Sequence, residues 1–277
     1  MGNCIYCGKP AGLLKTHHKE CKEKNKSAWN AMLAKAKDAA LGNVPLDGLK
    51  QDLQKLAQNG YMSEDKVREG MIEGWEEAVL HFLEDGNLDS EEEATLTSYA
   101  EHFGFAQDDL DKKGIYTRLV KGAVLNDIMQ GKIPQRIHTD TPLPFNFQKH
   151  ESLVWVFPNV KYYEMKTHRE YVGGSSGASI RIAKGVYYRI GAFKGHPVET
   201  EENVYIDSGM LAVTTKNIYF YSSKKTFKVP FSKIVSFTPY ADGIGIQRDA
   251  ASAKPRVFVT GDGWFTYNLV TNLAKNT

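Results

Sequence analysis

Residues 4–21 read CIYCGKPAGLLKTHHKEC, and the organisation of the whole chain turns on them. They hold all three cysteines of the protein. Cys4-x2-Cys7 is a knuckle spacing that sets two thiolates on one ion, and Gly8 follows where such a turn needs positive φ. A short helix is expected from Lys15 to Lys24. On it His18 stands three residues before Cys21 and His17 four, and both spacings share a helix face. The expected metal ligands are Cys4, Cys7, His18 and Cys21, with His17 as the alternative to His18. Leu13 and Leu14 are expected to form the small core.

Three thiolates and one imidazole around Zn²⁺ carry a net single negative charge. Lys9, Lys15, Lys19, Lys22 and Lys24 offset it. Four protein ligands leave no open coordination position, so the expected cofactor is a structural Zn²⁺. A fold this small has no other source of stability, which weighs against three free thiols at chance spacing.

Outward from this head, the chain has 277 residues, 42% hydrophobic and 25% charged, values ordinary for a globular protein. No apolar run approaches the roughly 18 residues of a membrane span. The start is polar, so no signal peptide is expected. Cysteines at metal spacing suit a reducing compartment. The expected location is cytoplasmic, with room for peripheral attachment at the membrane.

The net charge of +2 hides an asymmetry. Lys+Arg against Asp+Glu run 8 to 3 over residues 1–42, 6 to 18 over 43–113, and 21 to 12 over 114–277. An acidic middle between basic ends fits separate units, the acidic one suited to dock on a basic one. Three solvated surfaces of different composition fit equally.

Three domains and a linker are expected: a zinc-binding finger over 1–24, a helical bundle over 25–135, a linker over 136–150 and a β domain over 151–277. In the bundle, Ser27 caps a helix to Leu41. Leu46, Leu49, Leu53 and Leu56 line a second helix. Val67, Met71, Trp75, Val79 and Phe82 make the longest apolar stripe. Ser90 with Glu93 reads as a capping box. A last helix from Gln107 carries Leu110, Ile115, Leu119 and Ile128. Asp85, Asn87 and Asp89 match the first positions of a calcium loop. Ser90 stands where that loop needs Gly and Leu96 where it needs Glu, so an EF-hand is not expected.

LEDGNLDSEEEATLTSYAEHFGF, residues 83–105, resembles the inter-helix turn and following helix of TerB-like domains, named for tellurite resistance. The resemblance covers roughly residues 60–130 and implies a helical bundle. In some members acidic residues are thought to hold metal, which here points to Asp85, Asp89 and Glu93. A plainer reading is that Glu91, Glu92 and Glu93 complement the dipole at a helix N-terminus.

From Val154 the apolar period changes to two, with Gly, Asn, Asp and Pro between short runs, as in an antiparallel meander. Asp262-Gly263 opens a helix with Phe265, Leu269, Val270 and Leu273 on one side. GMLAVTTKNIYFYSSKKTFKVPFSKIVSF, residues 209–237, and FVTGDGWFTYNLVTNLA, residues 258–274, resemble the PH-like family that includes bacterial PH and GRAM-like domains. The match covers about residues 203–275. It implies a β sandwich or partly open barrel closed by a C-terminal helix. It also implies binding of a phospholipid head group, a peptide or a protein domain, not catalysis. Lys184, Arg189, Lys194, Lys224, Lys225 and Lys228 are then the expected surface for anionic lipid or an acidic partner. A solvated strand face is the plainer alternative.

Gly173-Gly-Ser-Ser-Gly177 contains G-x-S-x-G, but a strand, not a helix, is expected after it, so the glycines suggest a flexible hairpin turn and not a nucleophile elbow. Asp242, Asp249 and Asp262 sit where turns favour Asp. The expected fold class is α+β multidomain: a small zinc finger, an all-α bundle, and a PH-like antiparallel β domain with a C-terminal helix. The expected protein is a non-enzymatic, zinc-containing adaptor acting through protein or anionic-lipid contacts, in bacterial stress response or phage defence as the module mixture implies. The alternative is nucleic-acid binding through the lysine-rich head and the basic C-terminal face. A hydrolase on the loops around Ser175 and Asp242 is a third class.

Overall fold

The change of apolar period near Val154 separates a helical unit from a β unit. The computed structural model describes residues 2–276 except 87, 140–141, 184–185 and 251–252, and the side chains of 85 and 166–201 lie outside the described part. The chain divides into Met1–Arg136 and Ile137–Thr277.

The first unit opens with β1 (Gly2–Asn3) paired antiparallel to β2 (Pro10–Gly12). Six helices follow: α1 Lys19–Ala40, α2 Leu49–Asn59, α3 Glu64–Phe82, α4 Ser90–Phe103, α5 Gln107–Leu110 and α6 Ile115–Met129. The two helices expected over 15–24 and 27–41 are one, α1. Residues 22–27 hold Lys, Glu, Asn and Ser but no Gly or Pro, so nothing interrupts the backbone ladder. Cys21 therefore sits in the first turn of a helix whose later turns bury Met32, Ala36, Ala39 and Ala40 in the bundle.

α1 packs closely on α3 because α3 offers glycine at the crossing. A Cβ on Gly74 would lie 2.6 Å from Ala36 Cβ and 2.7 Å from the Lys37 backbone nitrogen. The core around this crossing holds Leu53, Trp75, Val79, Leu96 and Tyr99, all nearly inaccessible to water. Its polar atoms are paired: Trp75 Nε1 donates to the Leu96 carbonyl at 3.0 Å, and Tyr99 Oη to the Met71 carbonyl at 3.1 Å.

Two details depart from the sequence expectation. α4 is capped one residue earlier than expected, by Asp89. Its carboxylate accepts from the Glu91 and Glu92 amides at 2.8 Å, and Glu92 reaches back to the Asp89 amide at 2.9 Å. A carboxylate accepts two amides here where the Ser90 hydroxyl is simply the first helical residue. The last helix is split because Asp111 binds Thr117 through both its amide, 2.8 Å, and its hydroxyl, 2.7 Å, and Gly114 turns at φ 73°.

The second unit is one antiparallel sheet of seven strands, β3 Leu153–Ala183, β4 Val186–Thr214, β5 Asn217–Ser222, β6 Thr226–Pro230, β7 Ile234–Tyr240, β8 Gly243–Arg248 and β9 Arg256–Val259, followed by α7 Gly263–Lys275. The order is β6-β5-β4-β3-β9-β8-β7. β3 and β4 are far longer than the short strands expected, and pairing runs through glycines and prolines read as breaks. Pro158 falls at a register shift between Phe157 and Val160, where Asn159 adopts φ 56°. A bulge accommodates the residue that cannot donate to the ladder.

α7 covers the sheet through Phe265, Leu269, Val270 and Leu273, with Trp155 edge-on to Phe265 at 4.8 Å. Asp262 caps α7 by accepting from the Phe265 amide at 3.0 Å. Part of the expected linker packs on this unit, where Phe147 meets Tyr219 edge-on at 5.3 Å. Just after the linker, Glu151 accepts from Tyr219 Oη at 2.5 Å and from Asn217 Nδ2 at 2.6 Å. The fold is thus α+β. Among the described residues no helix is long and apolar enough to cross a membrane.

Candidate metal centre

The knuckle forms because Cys4 and Gly8 close a tight turn. The Gly8 amide donates to the Cys4 carbonyl at 2.9 Å, the Cys4 amide to the Lys9 carbonyl at 2.7 Å, and Gly8 takes φ 72°. The Ile5 amide donates to the Thr16 carbonyl at 3.0 Å, which folds the returning chain onto the knuckle. His18, in extended conformation, is the residue before the first turn of α1, and Cys21 lies within that turn.

These elements bring one ligand atom from each of Cys4, Cys7, His18 and Cys21 within 4.8 Å of one another, the set among the described residues able to hold a metal. His18 Nδ1 lies 3.4 Å from Cys7 Sγ and 3.7 Å from Cys21 Sγ. A tetrahedral ion with bonds of about 2.0–2.3 Å needs N–S edges of about 3.6 Å. The remaining ring nitrogen, Nε2, donates to the Pro10 carbonyl at 3.0 Å. That bond puts the neutral ring's proton on Nε2 and leaves the Nδ1 lone pair facing the sulfurs, as a metal-bound imidazole requires.

His17 is turned elsewhere. Its Nδ1 meets Thr16 Oγ1 at 3.1 Å, and its ring packs edge-on to Tyr6 at 6.1 Å. The geometry selects His18 of the two.

The sulfurs sit in unequal environments. Burial opposes ionisation of Cys4, but the amides of Cys7, His18 and Tyr6 favour the thiolate, and its pKa falls to about 6. Burial pushes the Cys21 thiol up, and its neighbours Cys7 and Cys4 push it further. The His18 imidazole is raised by its bond to the Pro10 carbonyl and by the Cys7 sulfur. One pocket thus holds an easily ionised thiol beside one that resists ionising alone, and a cation favours all three thiolates together.

The role of Tyr61 was not legible in its own residue type or spacing. The residue stands at φ 58° after α2, with its amide bonded to the Gln58 carbonyl at 3.1 Å and the next amide, Met62, to the Ala57 carbonyl at 2.8 Å. This is a Schellman ending with tyrosine in the left-handed position that glycine usually fills. The nearby Cys21 sulfur and, after it, burial raise the Tyr61 pKa. Asn25 Nδ2 donates to the Gly60 carbonyl at 2.6 Å and ties the same turn to α1. The only advance hint was Asn59-Gly60, which marks a turn but not what the turn approaches.

The small core also differs from expectation. Cys4, Ala11 and Cys21 form it, with Tyr6 and Cys7 packed beside them. Leu13 and Leu14 lie outside, 77% and 99% exposed. Gly12 at φ 96° and Leu14 at φ 60° shape a turn in which both leucines face water.

The other candidate residues are dispersed. Asp89 is occupied as the α4 cap. Glu93 is held by the Arg136 guanidinium, which also gives Nε to Asp127 at 2.6 Å. Asn87 and the Asp85 side chain lie outside the described residues. So do Lys184 and the side chains of Arg189 and Lys194, whose backbones belong to β4. Lys224 and Lys225 occupy the β5–β6 turn and Lys228 lies on β6, all exposed. Lys225 Nζ pairs with Glu164 at 3.0 Å. Gly173–Gly177 lies inside β3, with Gly173 opposite Gly195 and Gly177 opposite Gly191. The strand neither turns nor passes into a helix there, so no nucleophile elbow forms around Ser175. It is not the hairpin turn that its glycines suggested. Asp242 accepts the Thr260 and Gly261 amides through its carbonyl, each at 2.9 Å.

Fold and site together define an α+β protein with a candidate Cys3His metal centre at the start of α1. No protein-family model and no curated protein matches the chain.

Proposed function

We propose that this is a non-enzymatic, zinc-containing binding protein in which Cys4, Cys7, His18 and Cys21 hold a structural Zn²⁺. One observation carries the reading: three sulfurs and one correctly presented imidazole nitrogen converge within 4.8 Å. Thiolate and imidazole in a tetrahedral set suit zinc, and four protein ligands leave no place for a reactive water. Cys4 and Cys21 are buried, which favours a closed site. The bound set would carry one net negative charge at the N-terminal turn of α1, where a helix dipole favours it.

The ion's task would be to fix residues 2–18 on the end of α1 and so present them on the helical unit. A seven-stranded antiparallel sheet followed by a helix supports the PH-like reading of residues 203–275, and the helices of the first unit support the TerB-like reading of 60–130. On those resemblances the setting is bacterial stress response or phage defence, and the role is that of an adaptor. Lysines along α1 favour a second reading, nucleic-acid binding by the head.

Metal analysis with native thiol alkylation tests the metal. The expected result is one zinc per chain and three protected cysteines. A purified protein without transition metal, alkylated freely at all three sulfurs, overturns the reading.

A further inference from the structure

The metal head carries apolar side chains that nothing among the described residues of its own unit covers. Leu13 and Leu14 are 77% and 99% exposed, and Ile5 is 70% exposed. The Ile5 amide bonds to the Thr16 carbonyl, so Ile5 lies on the stretch paired with the end of this same loop. Leu14 is also held at φ 60°, a conformation costly for a branched, non-glycine residue. A bulky apolar side chain kept both strained and fully exposed points to a function outside the unit's own packing.

The surroundings of the leucines are cationic. Lys15, Lys19, Lys22 and Lys26 line one shallow groove with Leu14. Lys19, Lys22 and Lys26 recur at helical spacing on α1, so they share a face. The groove's single acidic residue, Glu23, reaches Lys19 at 3.9 Å with both side chains exposed. Aliphatic tips beside a lysine face match the boundary of an anionic bilayer, where acyl chains accept the leucines and phosphates meet the ammonium groups. Nucleic acid would satisfy the lysines but leave the leucines in water. A protein partner of ordinary affinity needs a broader surface than a two-residue projection.

We propose that the Leu13–Leu14 loop inserts into the surface of an anionic phospholipid membrane while Lys15, Lys19, Lys22 and Lys26 contact its head groups. The proposal rests on the metal-held head, because the knuckle and α1 fix the loop beside the lysines.

The test is flotation of the full-length, zinc-loaded protein with phosphatidylcholine vesicles with and without phosphatidylserine, at low and high salt. The wild type is expected to float only with phosphatidylserine and to be released by salt. Leu13→Ser/Leu14→Ser should weaken binding about ten-fold or more while keeping its zinc. Lys15→Gln/Lys22→Gln/Lys26→Gln should remove the salt-sensitive part. Failure of zinc-loaded wild type to float, or flotation unchanged in the leucine variant, overturns the proposal and leaves the metal reading standing. Binding of a DNA or RNA oligonucleotide in place of vesicles, indifferent to the leucine change, overturns it in favour of nucleic acid. Failure of the metal reading shows separately, in the zinc content of the same sample.

Discussion

His18 Nδ1 lies 3.4 Å from Cys7 Sγ while its Nε2 donates to the Pro10 carbonyl at 3.0 Å. The ring is therefore oriented by the strand β2 before any ion arrives. His18→Ala should lose zinc far more readily to a chelator than His17→Ala, whose ring faces Thr16 and Tyr6. Competition with a chromogenic chelator measures both. Equal losses would remove His18 from the ligand set.

Removing the metal should loosen the head and spare the bundle. The core around Trp75, Leu96 and Tyr99 is built without the cysteines. Chelation is expected to raise hydrogen exchange over residues 2–24 and to leave the amides of α3 and α4 protected. Exchange rising equally across α3 would show that the ion holds the whole helical unit.

Tyr61 offers a test of the outer contacts of the site. Tyr61→Phe keeps the ring and removes the hydroxyl whose electrostatics feel the Cys21 sulfur, so zinc affinity should fall about ten-fold. Tyr61→Gly removes the same hydroxyl but relieves the left-handed backbone by about 1 kcal/mol. The glycine variant should then bind zinc as weakly as the phenylalanine variant and melt at higher temperature than it. Zinc affinity unaffected by either change would make Tyr61 a packing residue alone.

Gly74 sets how closely α1 approaches α3. The Cβ of Gly74→Ala would press on Ala36 and on the Lys37 backbone nitrogen, which cannot yield as a flexible side chain would. Destabilisation of about 1–3 kcal/mol is expected in chemical denaturation. An exposed control, Ala34→Gly, changes only helix propensity and should cost about 1 kcal/mol.

Asp207 makes the second unit sensitive to acid. Ser223 Oγ donates to it at 2.9 Å, and the Lys224 and Ser208 amides each at 3.0 Å. Led by Ser223 and against the effect of burial, these bonds depress its pKa to about 2. A carboxylate with a depressed folded-state pKa contributes stability above its unfolded value, and that contribution fades as pH falls toward about 2. Asp207→Asn should therefore melt below the wild type at neutral pH, and the difference should close on acidification. A difference independent of pH would assign the effect to packing.

The candidate metal set was legible because its spacing is local. Cys4-x2-Cys7 and His18-x2-Cys21 each place two donors within one turn of backbone, and turn geometry does not depend on the rest of the chain. The helices of 49–59 and 64–82 and the strands after 153 were legible for the same reason, since apolar period is a property of neighbouring residues. Local signals misled where two continuations were equally allowed. Ser27 can cap a helix or lie inside one, and the packing of Met32 and Ala36 on α3 favours continuation. The glycines of 173–177 can turn or extend, and pairing with 191–195 holds them extended.

The amino-acid sequence by itself determined which donors could share an ion and where the chain changes from helix to strand, because both follow from residues a few positions apart. Only the tertiary structure decided that His18 rather than His17 faces the sulfurs, that Tyr61 comes near enough to Cys21 to feel its charge, that Leu13 and Leu14 stay in water, and that β3 lies between β4 and β9. Each of those depends on which distant segment comes alongside. Residue spacing carries no record of that, and the free energy of packing the whole chain sets it.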